Sequence, residues 1–162
     1  MERRMDRGWS KEEEKWIYGI YCECHIDAAA IFNDDPSYIL SEDEEGNMKT
    51  TRVMRDSFGM TTDEFIKKRE LFEGDIVKVQ LWRSNKVEEE TIGIIRYGAY
   101  EDNQRKYKGF FIEYQDEDWE WWLDSCSLRT LIEICSETLD CFGDGWKMSL
   151  IGNTTENPEL LV

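Results

Sequence analysis

Residues 71–82 read Leu-Phe-Glu-Gly-Asp-Ile-Val-Lys-Val-Gln-Leu-Trp (LFEGDIVKVQLW). Gly74 is placed for a tight turn, and Ile76, Val77 and Val79 follow it as a β-branched run, so the stretch reads as a turn feeding a strand. Downstream, TIGIIRYG (91–98), KGFFIEYQ (108–115) and WKMSLIGN (146–153) carry the same signature. Polar loops are expected between them, one holding Glu88 to Glu90 and the other EDNQRKYK (101–108). DWEWWLD (118–124) reads as a further short strand. Upstream, KWIYGIYCEC (15–24), a weaker signal over Ala28–Leu40 and the stretch Met48–Met54 add strands, with SEDEEGN (41–47) as a surface loop. Short strands joined by polar turns predict a mainly β chain folded as a small barrel or sandwich, with α+β admissible by count.

One or two short helices are expected. Thr61 and Glu64 have the spacing of a capping box, and the FIKKRE that follows holds a connector of about two turns. Leu128, Leu131, Ile132, Cys135, Leu139 and Phe142 fall on one stripe at helical spacing, with Ser127 as N-cap and Gly143 as stop, predicting a helix near 127–142. The organisation expected is an N-terminal β-rich portion with the connector helix over residues 1–70 and a barrel domain over 71–162, able to pack as one unit.

The 162 residues include 36 Asp and Glu against 20 Lys and Arg, a net charge of −16. Hydrophobic residues at 40% and aromatics at 13% suffice for a packed core. Binders of nucleic acid place cations against phosphates, so this balance disfavours a nucleic-acid partner. The short clusters Arg3, Arg4, Arg7; Lys67, Lys68, Arg69; and Arg105, Lys106, Lys108 read as solvated surface. No stretch approaches the roughly 18 apolar residues of a membrane span, and the N-terminus lacks the apolar core of a secretory signal. The expected compartment is the bacterial cytoplasm, with five reduced cysteines.

Two segments carry a family resemblance: LFEGDIVKV (71–79) and LIGNTTENPELL (150–161), supported by KWIYG (15–19) with Arg7-Gly8 upstream. In this combination and order they resemble the YopX family of bacteriophage and prophage proteins, which pairs an EGDIV segment with an IGN-x-x-ENPELL ending. The resemblance spans roughly the whole chain, and departs from the family's pattern between Phe58 and Arg69. It implies an SH3-like barrel built around the EGDIV strand and a phage or prophage origin. It implies no biochemical activity.

No catalytic, cofactor or metal site is assigned from the residues. Cys22 and Cys24 alternate toward one face beside His25, but no second tightly spaced pair accompanies them, and free thiols are expected in place of zinc. His25 is the single histidine, and no nucleophile elbow surrounds any serine. Gly143 and Gly145 lack the Lys-Ser/Thr of a phosphate loop. Gly74, Gly152, Asn153, Asn157 and Pro158 read as architecture: turns, side-chain-to-backbone bonds and a rigid exit. Trp119, Trp121 and Trp122 invite a recognition reading, because alternation sends Trp122 to the face opposite the other two, and a face left uncovered would be an interaction patch.

Three functions are compatible with this chemistry. The foremost is a non-enzymatic phage accessory protein, a binding or assembly module whose partner is another protein or a second copy, with no small-molecule ligand. The second is an acidic decoy imitating nucleic acid before a host DNA-binding protein. The third is an enzyme with an unrecognised or metal-dependent site.

Overall fold

The computed structural model describes residues 5–23, 37–102, 105–116, 126–135 and 138–162. The chain divides into two compact units, Met1–Asp63 and Glu64–Val162.

In the first unit, β1 (Asp6–Ser10), β2 (Lys15–Glu23), β3 (Ser37–Glu42) and β4 (Met48–Val53) form an antiparallel sheet in chain order. Alternation along β3 buries Ser37 and Ile39 and leaves Tyr38 and Leu40 half-buried. Ile17, Ile39 and Val53 make the core, with Tyr21 and Phe58 packed against it at 4.1 Å between ring centroids. The β3–β4 turn is closed by Asp43, whose Oδ1 accepts from the backbone N–H of Glu45 and Asn47 at 2.9 and 2.8 Å. The guanidinium of Arg7, a residue only 7% exposed, lies 4.4 Å over the Trp16 ring.

The segment read as a connector helix is instead a β-hairpin, β5 (Thr61–Ile66) and β6 (Arg69–Phe72). Thr61 does not cap a helix; its Oγ1 accepts from the Asp63 N–H at 3.2 Å in a local turn. Lys67 and Lys68 both take left-handed backbone angles, φ 48° and 66°, the geometry that matches a two-residue hairpin to strand twist. A two-turn helix must meet the cost of its own nucleation, and strand pairing here prevails over it.

The second unit is built on an antiparallel sheet of order β10-β7-β8-β9, from β7 (Asp75–Arg83), β8 (Lys86–Asp102), β9 (Arg105–Tyr114) and β10 (Gly145–Asn153). The strands expected near Asp75, Thr91, Lys108 and Trp146 thus join one unit. Both loops expected beside β8 are largely strand. Ser84 and Asn85, at φ 50° and 61°, close the β7–β8 hairpin in two residues. Glu88 and Glu90 then lie in the ladder, facing Arg83 at 3.4 Å and Lys78 at 3.3 Å. Residues 99–102 of β8 likewise pair with residues 105–108 of β9.

Leu71, Val77, Val79, Ile95, Ile112, Leu128, Leu131 and Met148 form this unit's core. The helix over them, α1, runs only from Leu128 to Ile134, with Ser127 Oγ capping the Thr130 N–H at 3.1 Å as the sequence implied. The predicted continuation to Phe142 fails. Asp140 Oδ1 takes the N–H groups of Phe142 and Asp144 at 2.8 and 2.9 Å, a local turn that competes with helix, and Phe142 stands 76% exposed. Gly143 belongs to that turn, its N–H bonded to Asp140 O.

The described residues close no barrel. β9 and β10 end the sheet unpaired to one another, and the apolar face that a closing strand would cover is covered by α1. The mainly β class stands, as open antiparallel sheets.

Both motif segments serve architecture. Gly74 takes φ 87° and donates to Ile95 O, while Asp75, 2% exposed, accepts from the Phe72 N–H at 2.9 Å. At the other end, Asn153 Oδ1 accepts from Thr155 and Glu156 N–H, and its Nδ2 donates to Glu156 Oε2 at 2.7 Å. Gly152 lies so close to Asn157 that a Cβ there would meet Asn157 Oδ1 at 2.5 Å. Thr154 N–H bonds Gly74 O, which ties the two motifs together, and a 3₁₀ turn over Pro158–Leu161 follows.

Candidate functional site

Trp119, Trp121 and Trp122, the interaction surface named from the sequence, lie outside the described residues, as do Cys24, His25 and the strand expected over 118–124. Cys22 and Cys141 are exposed thiols, and Cys126 and Cys135 are half-buried. Burial pushes the Cys135 thiol up to about 12, which keeps it protonated and unreactive at neutral pH. Among the described residues, no three His, Cys, Asp or Glu side chains gather as metal ligands. No helix among them is long and apolar enough to cross a membrane.

Two surfaces of the second unit have the chemistry of recognition. The first is the far end of the β8–β9 hairpin. β7 leaves the β8 ladder at Ile94, and beyond it β9 is the only strand that pairs with β8 among the described residues. Directly opposed residues of an antiparallel pair share a face. Tyr97 and Phe110 therefore sit on one side at 5.0 Å between centroids, and Tyr100 and Tyr107 on the other at 5.6 Å, with Phe111 5.9 Å from Tyr100. Tyr97 and Tyr107 are 41% and 42% exposed. Lys108 Nζ lies 5.8 Å over the Tyr97 ring, and neither Arg105 nor Lys106 has a carboxylate partner among the described residues. A hairpin end with aromatic rings on both faces and free cations at its tip is suited to contact another macromolecule.

The second surface is a cavity of about 450 Å³ lined by Phe65, Ile66, Lys67, Trp82, Lys147 and Met148, with Gln80, Ile132, Cys135 and Ser149 completing the wall. Register builds it: Lys147 lies opposite Gln80 across the β10–β7 ladder, so Lys147, Gln80 and Trp82 share a face. Lys147 Nζ stands 4.7 Å over the Trp82 ring, and Gln80 Oε1 accepts from Trp82 Nε1 at 3.3 Å. On the same face Gln80 Nε2 donates to Glu90 Oε2 at 2.7 Å, the main cause that holds the Glu90 carboxyl below its ordinary value, with Lys78 assisting. Sequence reasoning missed this site. Lys147 and Trp82 are far apart along the chain, and only the β10–β7 register joins them.

Together these features define a small, mainly β protein of open antiparallel sheets, carrying exposed aromatic and cationic surfaces. The chain belongs to the YopX family: the model of the YopX protein matches residues 7–162, nearly its whole length. Searches of curated proteins and of solved structures give no match.

Proposed function

We propose that this chain is a non-enzymatic accessory protein of phage or prophage origin, acting in the bacterial cytoplasm as a protein-binding or assembly module. Family membership supports the phage connection. The observation that carries the binding role is the β8–β9 hairpin end, where Tyr97 and Tyr107 are exposed beside Arg105, Lys106 and Lys108. Large rings give contact area at little cost in side-chain entropy, and a basic tip on a chain of net charge −16 suits an acidic protein surface, whether a partner's or a second copy's. The decoy reading finds less support, since Glu88, Glu90 and Glu113 are each matched with a cation of their own sheet and form no unbroken row of carboxylates.

The test is affinity capture from lysogenic or infected cells together with sedimentation of the purified chain, comparing wild type with the Tyr107→Ala/Lys108→Ala double variant. A partner or a self-association that the double variant loses is expected. Trp121→Ala tests the tryptophan run as a second anchor. Sub-micromolar binding to DNA or RNA at physiological salt with no protein partner overturns the proposal, as does a hydrolytic activity lost on changing one carboxylate.

A further inference from the structure

Three consecutive residues of β10, Lys147 to Ser149, line the 450 Å³ cavity. Neighbours on a strand point to opposite faces, so a cavity touched by three in a row looks onto the strand's backbone edge. β10 is the end strand of its sheet; it is laddered to β7, and at its start Trp146 makes an isolated parallel bridge to Cys135. Alternate residues between Lys147 and Leu150 therefore aim their N–H and C=O groups away from β7. None of those groups has another backbone partner among the described residues. The facing wall is the end of β5, a strand paired with β6 alone among the described residues, which contributes Phe65 and Ile66 and then Lys67 of its turn. The cavity is a slot alongside a strand edge that, past the Trp146–Cys135 bridge, is unpaired among the described residues.

Its charge is opposite to the molecule's. Lys67 and Lys147 both line it, and neither has a carboxylate partner among the described residues of a chain whose net charge is −16. Its apolar surface comes from Ile66, Ile132, Met148 and Phe65, the last 54% exposed. A small-molecule pocket has no need of a row of unsatisfied backbone groups. An extended peptide does, because main-chain hydrogen bonds supply its affinity and alternate side chains its specificity.

We propose that this slot takes an extended acidic segment of a partner protein, added along β10 as a further strand, with its carboxylates held by Lys67 and Lys147 and its apolar side chains against Phe65 and Ile132. The four residues Lys147 to Leu150, before the bulge at Ile151, offer about 13 Å of regular edge at roughly 3.3 Å per residue, enough for a segment of four or five residues.

The probe is a fluorescein-labelled acetyl-Glu-Val-Glu-Val-Glu-Val-amide titrated against the full chain. Saturable binding is expected, at least tenfold weaker for the Lys-Val counterpart and for the Lys67→Glu/Lys147→Glu double variant. N-methylation of one alternate set of peptide nitrogens should abolish it. Hydrogen exchange of the complex should show new protection at alternate amides between Lys147 and Leu150. Equal affinity for the Glu and Lys peptides, no binding of the Glu peptide, or slow exchange of all four amides in the free chain would each overturn the proposal. So would 2-naphthoate binding that protects no β10 amide, which would make the slot a small-molecule site, or a dimer dissociated by the double variant, which would make the occupant a second copy. The Tyr107→Ala/Lys108→Ala variant should bind the peptide unchanged, so the slot and the hairpin end succeed or fail separately.

Discussion

Asn153 shows how much one amide can fix. Its Oδ1 receives two backbone N–H groups and its Nδ2 holds Glu156, while Asn157 accepts from the Asn153 N–H at 3.3 Å. Asn153 is only 8% exposed, so Asn153→Ala leaves half-buried donors unmatched and should destabilise the fold by about 1–3 kcal/mol, measured by urea unfolding. Cys135 gives a second residue-scale expectation. Its pKa is raised by burial from 9.0 to about 12, so the protonated thiol contributes stability that is fully present below pH 9 and lost as pH climbs toward 12. Cys135→Ala should accordingly flatten the alkaline limb of the stability profile in that window. In the native state, thiol reagents should label Cys22 and Cys141 well before Cys135, and equal rates would show that Cys135 is open to solvent. Such roles were legible from residue type where the partner is close in sequence, as with the turn at Gly74 or with Asn153 and Asn157. The Lys147–Trp82 contact was not, because a strand register creates it.

At the level of elements, strands were read well and their limits poorly. Glu88 to Glu90, residues 101–102 and residues 105–108 look like loops by polarity, yet they belong to β8 and β9, where cross-strand ion pairing and solvent on one face make charged strand residues tolerable. The two helix expectations failed in opposite ways. Capping-box spacing is cheap to satisfy by chance, and the Lys67–Lys68 turn carries no glycine or asparagine to announce a hairpin. That turn places Lys68 at φ 66° despite its Cβ, so Lys68→Gly should raise stability by about 0.5–1 kcal/mol, the relief of left-handed strain less the entropy glycine loses. The 128–142 stripe was real only as far as Cys135. Leu131 is 1% exposed in the core, and Leu131→Ala should cost about 2–5 kcal/mol, with less for half-buried Ile132. A loss near zero at Leu131 would show that α1 does not cover the sheet.

For the molecule as a whole, a charge of −16 means that the folded chain repels itself. The described ion pairs are solvent-exposed to varying degrees, each worth at most about 1 kcal/mol, and do not offset that field. Moving from low ionic strength to physiological salt shortens the reach of the repulsion to about 8 Å and should raise the thermal midpoint, by calorimetry. A fall would show that ion pairs outweigh repulsion. The mainly β class and the family were both readable from sequence. The open sheet was not, since whether a strand or a helix covers an apolar face depends on packing that short motifs do not encode.

The β10–β7 pairing has a consequence for birth at the ribosome. β7 begins at Asp75 and β10 at Gly145, about 70 residues later, which translation at roughly 5–20 residues per second takes about 4–14 seconds to deliver. Through that interval the nascent β7, with its Val77, Val79 and Leu81, has one flank without the neighbour it will keep. The most apolar strand of this unit thus waits longest for its last partner, and a chaperone or a crowded polysome meets it in that state.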